Sequence, residues 1–174
     1  TLFNYTAEIS PTSKAIAVGV EMNRHLLAPQ TYVCYNSCMN KAIKYRLYPT
    51  TEQSIVFSKT FGCCRKVYNL MLNDKIESYK ASGKFVAVTP AKYKKDYPFL
   101  REVDSLALAN VQLNLQGAFK NCFSKTRKTR NRFPKFKSAK HSRKSYTTNN
   151  QKGTVSIIDN KFIKLPKIGK VKAV

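Results

Sequence analysis

Apolar and polar residues alternate from Ile43 to Tyr48, where Ile43, Tyr45 and Leu47 interleave with Lys44, Arg46 and Tyr48. A period of two predicts a half-buried strand, here with a basic polar face. Pro49 ends it, and Thr50 with Gln53 forms a capping-box pattern that starts a helix. Ile55, Phe57 and Phe61 are the apolar members of that helix, and Gly62 interrupts it. A second helix is predicted over 63–82, with Cys64, Val67, Tyr68, Met71, Leu72, Ile76 and Tyr79 at helical spacing and Gly83 as its stop. Two helices about a glycine resemble a helix-turn-helix, although any helical hairpin gives the same pattern.

Further along, Thr89 and Pro90 open a short capped helix, and Tyr97-Pro98 marks a turn. Asp104 or Ser105 caps a longer helix reaching about Lys125, with Leu106, Ala109, Leu113, Ala118, Phe119, Cys122 and Phe123 on its apolar side. Val155–Ile158 and Phe162–Leu165 alternate as strands about Asp159-Asn160, a hairpin signal. Pro166 and Gly169 break the second of these, and Val171–Val174 begins another. Strands therefore flank a helical insert, which predicts an α+β fold with one small sheet.

Charge sharpens this picture. From Lys120 to Asn150 there are eleven Lys and Arg residues and no acid, and no carboxylate occurs between Asp104 and Asp159. Phe123, Phe133, Phe136 and Tyr146 lie among these cations. Cations neutralise phosphates and release counterions, while interleaved rings stack on bases or pack the stretch onto a core. A solvated loop, a disordered tail and a membrane-surface patch are the plainer readings. The one-signed run, without an amphipathic lipid-facing helix, favours nucleic acid. Of the formal net charge of +23, residues 1–38 contribute nothing, since Lys14 and Arg24 balance Glu8 and Glu21.

Residues 1–38 are accordingly read as an upstream or non-native leader, with Met39 as a plausible natural start. The chain begins with Thr1, as expected of a processed or open-ended translation. The apolar run Ala15–Val20 is too short and wrongly flanked for a signal peptide or a membrane span. The cysteines (Cys34, Cys38, Cys63, Cys64 and Cys122) form no CxxC pair, and His25 and His141 are not spaced to complete a zinc site. Cys64 and Cys122 fall on apolar helical faces and read as buried thiols. The acids after Met39 fall at caps, on helix surfaces beside lysines, or in a turn, which predicts no catalysis by this chain alone.

Eight stretches then match one family in order. KAIKYRLYPTTEQ (41–53), TFGCCRKVYN (60–69), YKASGK (79–84), FLREVDSLAL (99–108), AFKNCF (118–123), RFPKFKS (132–138), SYTTNN (145–150) and IKLPKIGKVK (163–172) closely resemble the amino-terminal half of the transposon-encoded TnpB proteins, also called OrfB, of the IS200/IS605 insertion sequences. The resemblance implies a small, partial wedge-type β-barrel with an inserted helical recognition lobe containing a helix-turn-helix-like pair. It divides the chain into 1–38, a first barrel strand in 39–50, a helical region in 51–130, and a basic linker with the remaining strands in 131–174. It implies guide RNA and double-stranded DNA as partners, no membrane, and a cytoplasmic, nucleoid-associated setting in a prokaryote. Protein then reads shape and a short adjacent motif, while base pairing reads sequence. The family's magnesium-holding carboxylates and CxxC zinc ribbon follow this region, so no cofactor is expected in residues 1–174.

On the same resemblance, contacts to the target-adjacent motif fall on Ser105, Thr148 and Asn149. Ala109 stands where the family often has a polar side chain, and Asn110 substitutes for it only if the helix is rotated. Arg65 belongs to the strongest family motif, and Tyr68 beside it is weighed towards core packing. Lys44, Arg46, Lys135, Lys137, Arg143 and Lys144 are the candidate phosphate contacts. Phe133 and Phe136 either stack on RNA or anchor their loop. A self-standing DNA-binding protein and a nonfunctional truncated remnant are the alternatives.

Overall fold

The computed structural model describes residues 3–9, 16–19, 43–124, 133–141, 144–151 and 153–174. Arg143, His25, Cys34, Cys38 and residues 125–132 of the basic run lie outside the described residues. The fold is α+β, in two compact units: residues 1–50 with 145–174, and residues 51–144.

The first unit is a seven-stranded sheet. Its strands are β1 (Phe3–Ile9), β2 (Ile16–Gly19), β3 (Ile43–Tyr48), β4 (Lys144–Asn150), β5 (Ser156–Ile158), β6 (Phe162–Leu165) and β7 (Gly169–Ala173), in the order β4-β1-β2-β3-β7-β6-β5. β1 also runs parallel to the start of β3, Tyr5 beside Ile43. The apolar run at 15–20 thus supplies β2, paired antiparallel with β3 from Ile16↔Leu47 to Gly19↔Lys44.

Sheet register follows from side-chain alternation. Leu47 lies opposite Ala173 and Ile163 opposite Val171, and all four are buried. A one-residue slip would turn this set to solvent, so the buried face fixes the register. Asp159 and Asn160 both take positive φ, 51° and 52°, and Lys161 N–H donates to the Ile158 carbonyl at 3.2 Å. Two left-handed central residues are the requirement of a type I′ turn, which is why this dipeptide joins β5 to β6. Between β6 and β7, Pro166 is followed by Lys167 at φ 66° and Ile168 N–H donates to the Leu165 carbonyl at 3.3 Å. Gly169, also at positive φ, opens β7 rather than merely breaking β6.

The second unit is built on two helices, α1 (Thr51–Ser82) and α2 (Ser105–Phe123), with one-turn 3-10 helices at Pro90–Lys94 and Pro98–Arg101 between them. The helix-turn-helix-like pair expected around Gly62 is instead one helix of 32 residues. Glycine in a helix interior costs about 1 kcal/mol relative to alanine, which weakens a helix without ending it. The buried side of α1 runs through Phe57, Thr60, Phe61, Cys63, Val67, Tyr68, Met71 and Leu72, so packing on both sides of Gly62 holds one axis. Gly83 does end α1: it takes φ +67°, and its N–H donates to the Tyr79 carbonyl at 2.8 Å, a left-handed cap.

Asp104, not Ser105, caps α2, its carboxylate accepting from Leu106 N–H at 3.0 Å. The buried face of α2 is Ala107, Leu108, Asn110, Val111, Leu115 and Phe119. This corrects the expected face, because Ala109, Leu113 and Phe123 are exposed. The first turns of α2 are apolar on every side, so spacing alone did not orient them, and a buried asparagine concealed the inward stripe. Asn110 is accommodated by donating through Nδ2 to the Leu106 carbonyl at 2.9 Å. One core joins α1 and α2 through Val67, Met71, Leu72, Leu108, Val111 and Leu115, closed by Val88, Tyr93, Leu100 and Val103 from the connecting segment.

Candidate nucleic-acid interface

In the helical unit Arg65 lies on α1, Ser105 opens α2, and Lys135 and Lys137 lie in the 133–141 segment. Arg65 is half-buried and lies one turn before Asn69, so the two share a face. Asn69 grips the backbone of the 133–141 segment. Its Oδ1 accepts from Lys137 N–H at 2.8 Å and its Nδ2 donates to the Lys137 carbonyl at 3.0 Å. The Lys137 ammonium then lies 4.2 Å from the centroid of the Tyr68 ring, a cation–π contact. Lys137 stays exposed as a residue, yet packing around its ammonium strips water from it and lowers its pKa from the usual lysine value. Tyr68 is buried and its pKa is raised by that burial, which agrees with the core role expected of it.

This segment has a second anchor. Phe133 meets Phe119 edge-on with centroids 5.4 Å apart, while Lys135 and Phe136 are exposed. Phe133 is therefore an anchor, and Phe136 presents a ring to solvent. Beneath the clamp, burial above all, reinforced by the neighbouring Cys63 and only partly opposed by Lys137, pushes the Cys64 thiol up to about 12. Cys63 and Cys64 are structural thiols at neutral pH.

At the start of α2, Ser105 is exposed and its Oγ accepts from Lys94 Nζ at 2.9 Å. Ala109 is exposed and Asn110 buried, so the amide of Asn110 belongs to the core and does not take the place of the missing polar side chain.

In the sheet unit, Lys44 and Arg46 point to the exposed face of β3, and Lys144 is exposed at the start of β4. Thr148 is fully buried and Asn149 half-buried, so Asn149 is the one of the pair that reaches the surface. Strand register adds residues that sequence reading did not single out. Tyr48 lies opposite Lys172, Lys172 opposite Phe162, and Lys170 opposite Lys164, all turned away from the buried face that holds Leu47, Val171 and Ile163. Lys170 Nζ sits 4.3 Å from the Phe162 ring centroid. The outer face of β3, β7 and β6 thus carries Lys44, Arg46, Lys164, Lys170 and Lys172 with two rings, and those strands contain no acid. The alternating lysines of IKLPKIGKVK were the legible signal for this face.

Three of the described acids pair with lysines of the helical unit. Asp74 accepts from Lys92 Nζ at 2.6 Å and from the Tyr93 hydroxyl at 2.8 Å, Glu77 pairs with Lys80 at 3.1 Å, and Glu102 with Lys59 at 3.2 Å. Among the described residues no three His, Cys, Asp or Glu side chains are grouped to hold a metal ion, and no helix is long and apolar enough to cross a membrane.

The geometry of β3 and α1 coincides with a known sequence signature. Residues 39–84 match the family model of the helix-turn-helix domain of IS605 OrfB proteins, a span that here folds as β3 and the unbroken α1. A protein of Streptomyces pristinaespiralis, named for RNA-guided DNA endonuclease activity, is 39% identical over 114 residues, covering 62% of this chain and 27% of its own length. The virulence protein VsdF of Salmonella dublin is 36% identical over 115 residues, covering 57% of this chain and 93% of its own length. The chain therefore spans about a quarter of the first relative and nearly all of the second. With most of VsdF covered and the OrfB signature running through β3 and α1, this chain belongs to the TnpB/OrfB family of IS200/IS605 elements, to whose amino-terminal region it corresponds.

Proposed function

We propose that this chain is the nucleic-acid-binding portion of a transposon-encoded RNA-guided DNA endonuclease, holding guide RNA together with duplex DNA next to the target. The observation that carries the reading is the outer sheet face, where Lys164 and Lys170 lie directly opposite each other. Like charges in direct cross-strand register destabilise a sheet, and a phosphate laid across them reverses that penalty. In this reading the sheet is a partial wedge-type barrel of the family's kind, residues 51–130 are its helical recognition lobe, and Ser105 and Asn149 face the target-adjacent motif. No catalysis and no cofactor are assigned to this chain. Asp104 serves as a cap and Asp74, Glu77 and Glu102 as ion-pair partners, while two-metal hydrolysis needs clustered carboxylates. Magnesium, zinc and DNA cleavage belong to a nuclease part of the kind found in the family's longer members.

A second reading is a self-standing DNA-binding protein that needs no RNA; the length of VsdF, 93% of which is covered, fits a protein of this size. Fluorescence anisotropy separates the two, using a folded RNA hairpin transcribed from the element's end and a 30-base-pair duplex of mixed sequence. The first reading expects the hairpin to bind at least tenfold more tightly. With about six phosphates contacted, its affinity falls about three orders of magnitude between 50 and 200 mM salt. Sequence-specific duplex binding with no preference for the hairpin supports the second. Absence of salt-dependent binding to either probe overturns both.

A further inference from the structure

We infer that the end of the helical unit where α1 and α2 finish carries a stacking platform for unpaired nucleotides, a site made of other residues than the sheet face and resting on the nucleic-acid-binding reading above. Tyr79 near the end of α1, Phe85 in the following loop, Phe119 and Phe123 at the end of α2, and Phe133 form one connected aromatic cluster. Tyr79 stacks on Phe85 at 4.7 Å between centroids, Phe85 tilts against Phe119 at 5.2 Å and Phe123 at 5.8 Å, and Phe133 meets Phe119 edge-on at 5.4 Å.

A cluster that only closed a core would bury its rings. Here Phe119 alone is buried, at 9% exposed, while Tyr79, Phe85, Phe123 and Phe133 are 52%, 37%, 59% and 43% exposed. Each outer ring is held by a neighbour, so its orientation is set before any ligand arrives, and little ordering entropy remains to be lost.

The surroundings select the occupant. Lys75 Nζ lies 5.6 Å from the Phe119 ring and donates to the Val86 carbonyl at 2.9 Å, fixing the loop that carries Phe85. Lys84, Lys120 and Lys135 adjoin the rings in sequence, and Phe119, Phe123 and Phe133 all fall in the acid-free span between Asp104 and Asp159. Glu77, the acid closest in sequence to Tyr79, is engaged by Lys80 at 3.1 Å. Exposed π-faces with lysines close by in sequence suit bases whose own faces are open, and a duplex keeps those faces covered. Single-stranded RNA and single-stranded DNA share this chemistry.

The test uses the full chain with fluorescein-labelled U20, dT20 and a 20-base-pair duplex. Tyr79→Leu and Phe123→Leu keep apolar bulk at exposed positions and remove the π-face, and circular dichroism melts check that each variant folds. The expected result is about a tenfold loss of single-strand affinity per variant, with duplex affinity unchanged. The U20 and dT20 arms identify whether RNA or DNA is preferred. The chain has no tryptophan, so Phe123→Trp introduces a single reporter. It is expected to retain binding and to be quenched by U20 or dT20 but not by the duplex. Leucine variants that bind single strands like the parent, lose single strand and duplex equally, or an unquenched Trp overturn the platform. In each case the parent chain's salt-dependent binding to the hairpin or duplex still stands. A parent chain that binds no nucleic acid overturns the broader reading along with it.

Discussion

Asn69 and Lys137 are 68 residues apart in sequence and share two hydrogen bonds, the side-chain amide of one pairing with both backbone groups of the other. The arrangement copies one rung of a β-ladder with a side chain, and it brings the VYN end of one family motif against the FPKFKS of another. Because the Lys137 backbone is fixed, its ammonium is held over Tyr68 instead of sweeping through solvent.

Replacing Asn69 with alanine removes both bonds. Each is exposed, so the expected loss is about 1–2 kcal/mol in all, at the lower end of what two hydrogen bonds contribute. The loss should concentrate in residues 133–141, detectable by hydrogen exchange as faster opening of the Lys137 amide while Met71 and Leu108 keep their protection. An unchanged rate at Lys137 would show that the packing of Phe133 on Phe119 is enough to hold the segment.

Some sheet strands were legible in the sequence, whereas β1, β2 and β4 and the helix faces were not, for physical reasons. β3, β5 and β6 announce themselves because a strand with one buried face must alternate, and Asp159-Asn160 supplies the left-handed turn between the last two. The face of α2 was hidden because Leu106, Ala107, Leu108 and Ala109 are consecutive apolar residues, so no single stripe stands out until partners are known. Gly62 misled because a glycine reads alike at a break and in an unbroken helix. The outer basic face was legible only in part. Lys44 and Arg46 stood out on their strand, whereas joining them to Lys170 and Lys172 needed the register between β3 and β7.

The continuity of α1 can be tested with two glycines. A Cβ at Gly62 meets nothing within 4 Å, and no positive φ is involved, so Gly62→Ala should stabilise by about 0.5–1 kcal/mol. Gly83 has similar space but sits at φ +67°, so Gly83→Ala should destabilise by about 1 kcal/mol. Thermal melts that move in opposite directions support one helix ending at Gly83. Destabilisation by Gly62→Ala would place a turn there.

Asp74 gives a pH signature. Burial alone would raise its pKa, but hydrogen bonds from Lys92 and Tyr93 and the charge of Lys92 outweigh that and hold the carboxyl below its ordinary value. A depressed carboxylate pKa contributes stability that is fully present above the unfolded-state value near pH 4 and is lost as pH falls through the folded-state value. Asp74→Asn should therefore cost about 1 kcal/mol at pH 7, since Lys92 is largely exposed and the pair is screened. Urea midpoints of the variant and parent should converge as the pH is lowered below about 4. Midpoints that stay apart down to about pH 2 would mean that the cost comes from packing and not from the charge.

The opposed lysines on the outer sheet face make a prediction with two signs. Lys164 and Lys170 repel across β6 and β7, and neutralising one should stabilise the free protein by about 0.2–0.5 kcal/mol at low salt. If the same pair binds phosphate, neutralisation must also weaken nucleic-acid binding, by a similar factor on every sequence, and lower the salt slope by about one for each phosphate no longer neutralised. Lys164→Gln is the cleaner choice, because Lys170 also covers the Phe162 ring and its removal exposes apolar surface. Lys59→Gln serves as the control, since that lysine lies on α1 and is already paired to Glu102. A raised melting temperature with a shallower salt slope for Lys164→Gln, and neither for Lys59→Gln, would mark the sheet face as a place where stability has been given up for binding. A raised melting temperature with an unchanged slope would leave the repulsion real and move the phosphate-binding site off this face.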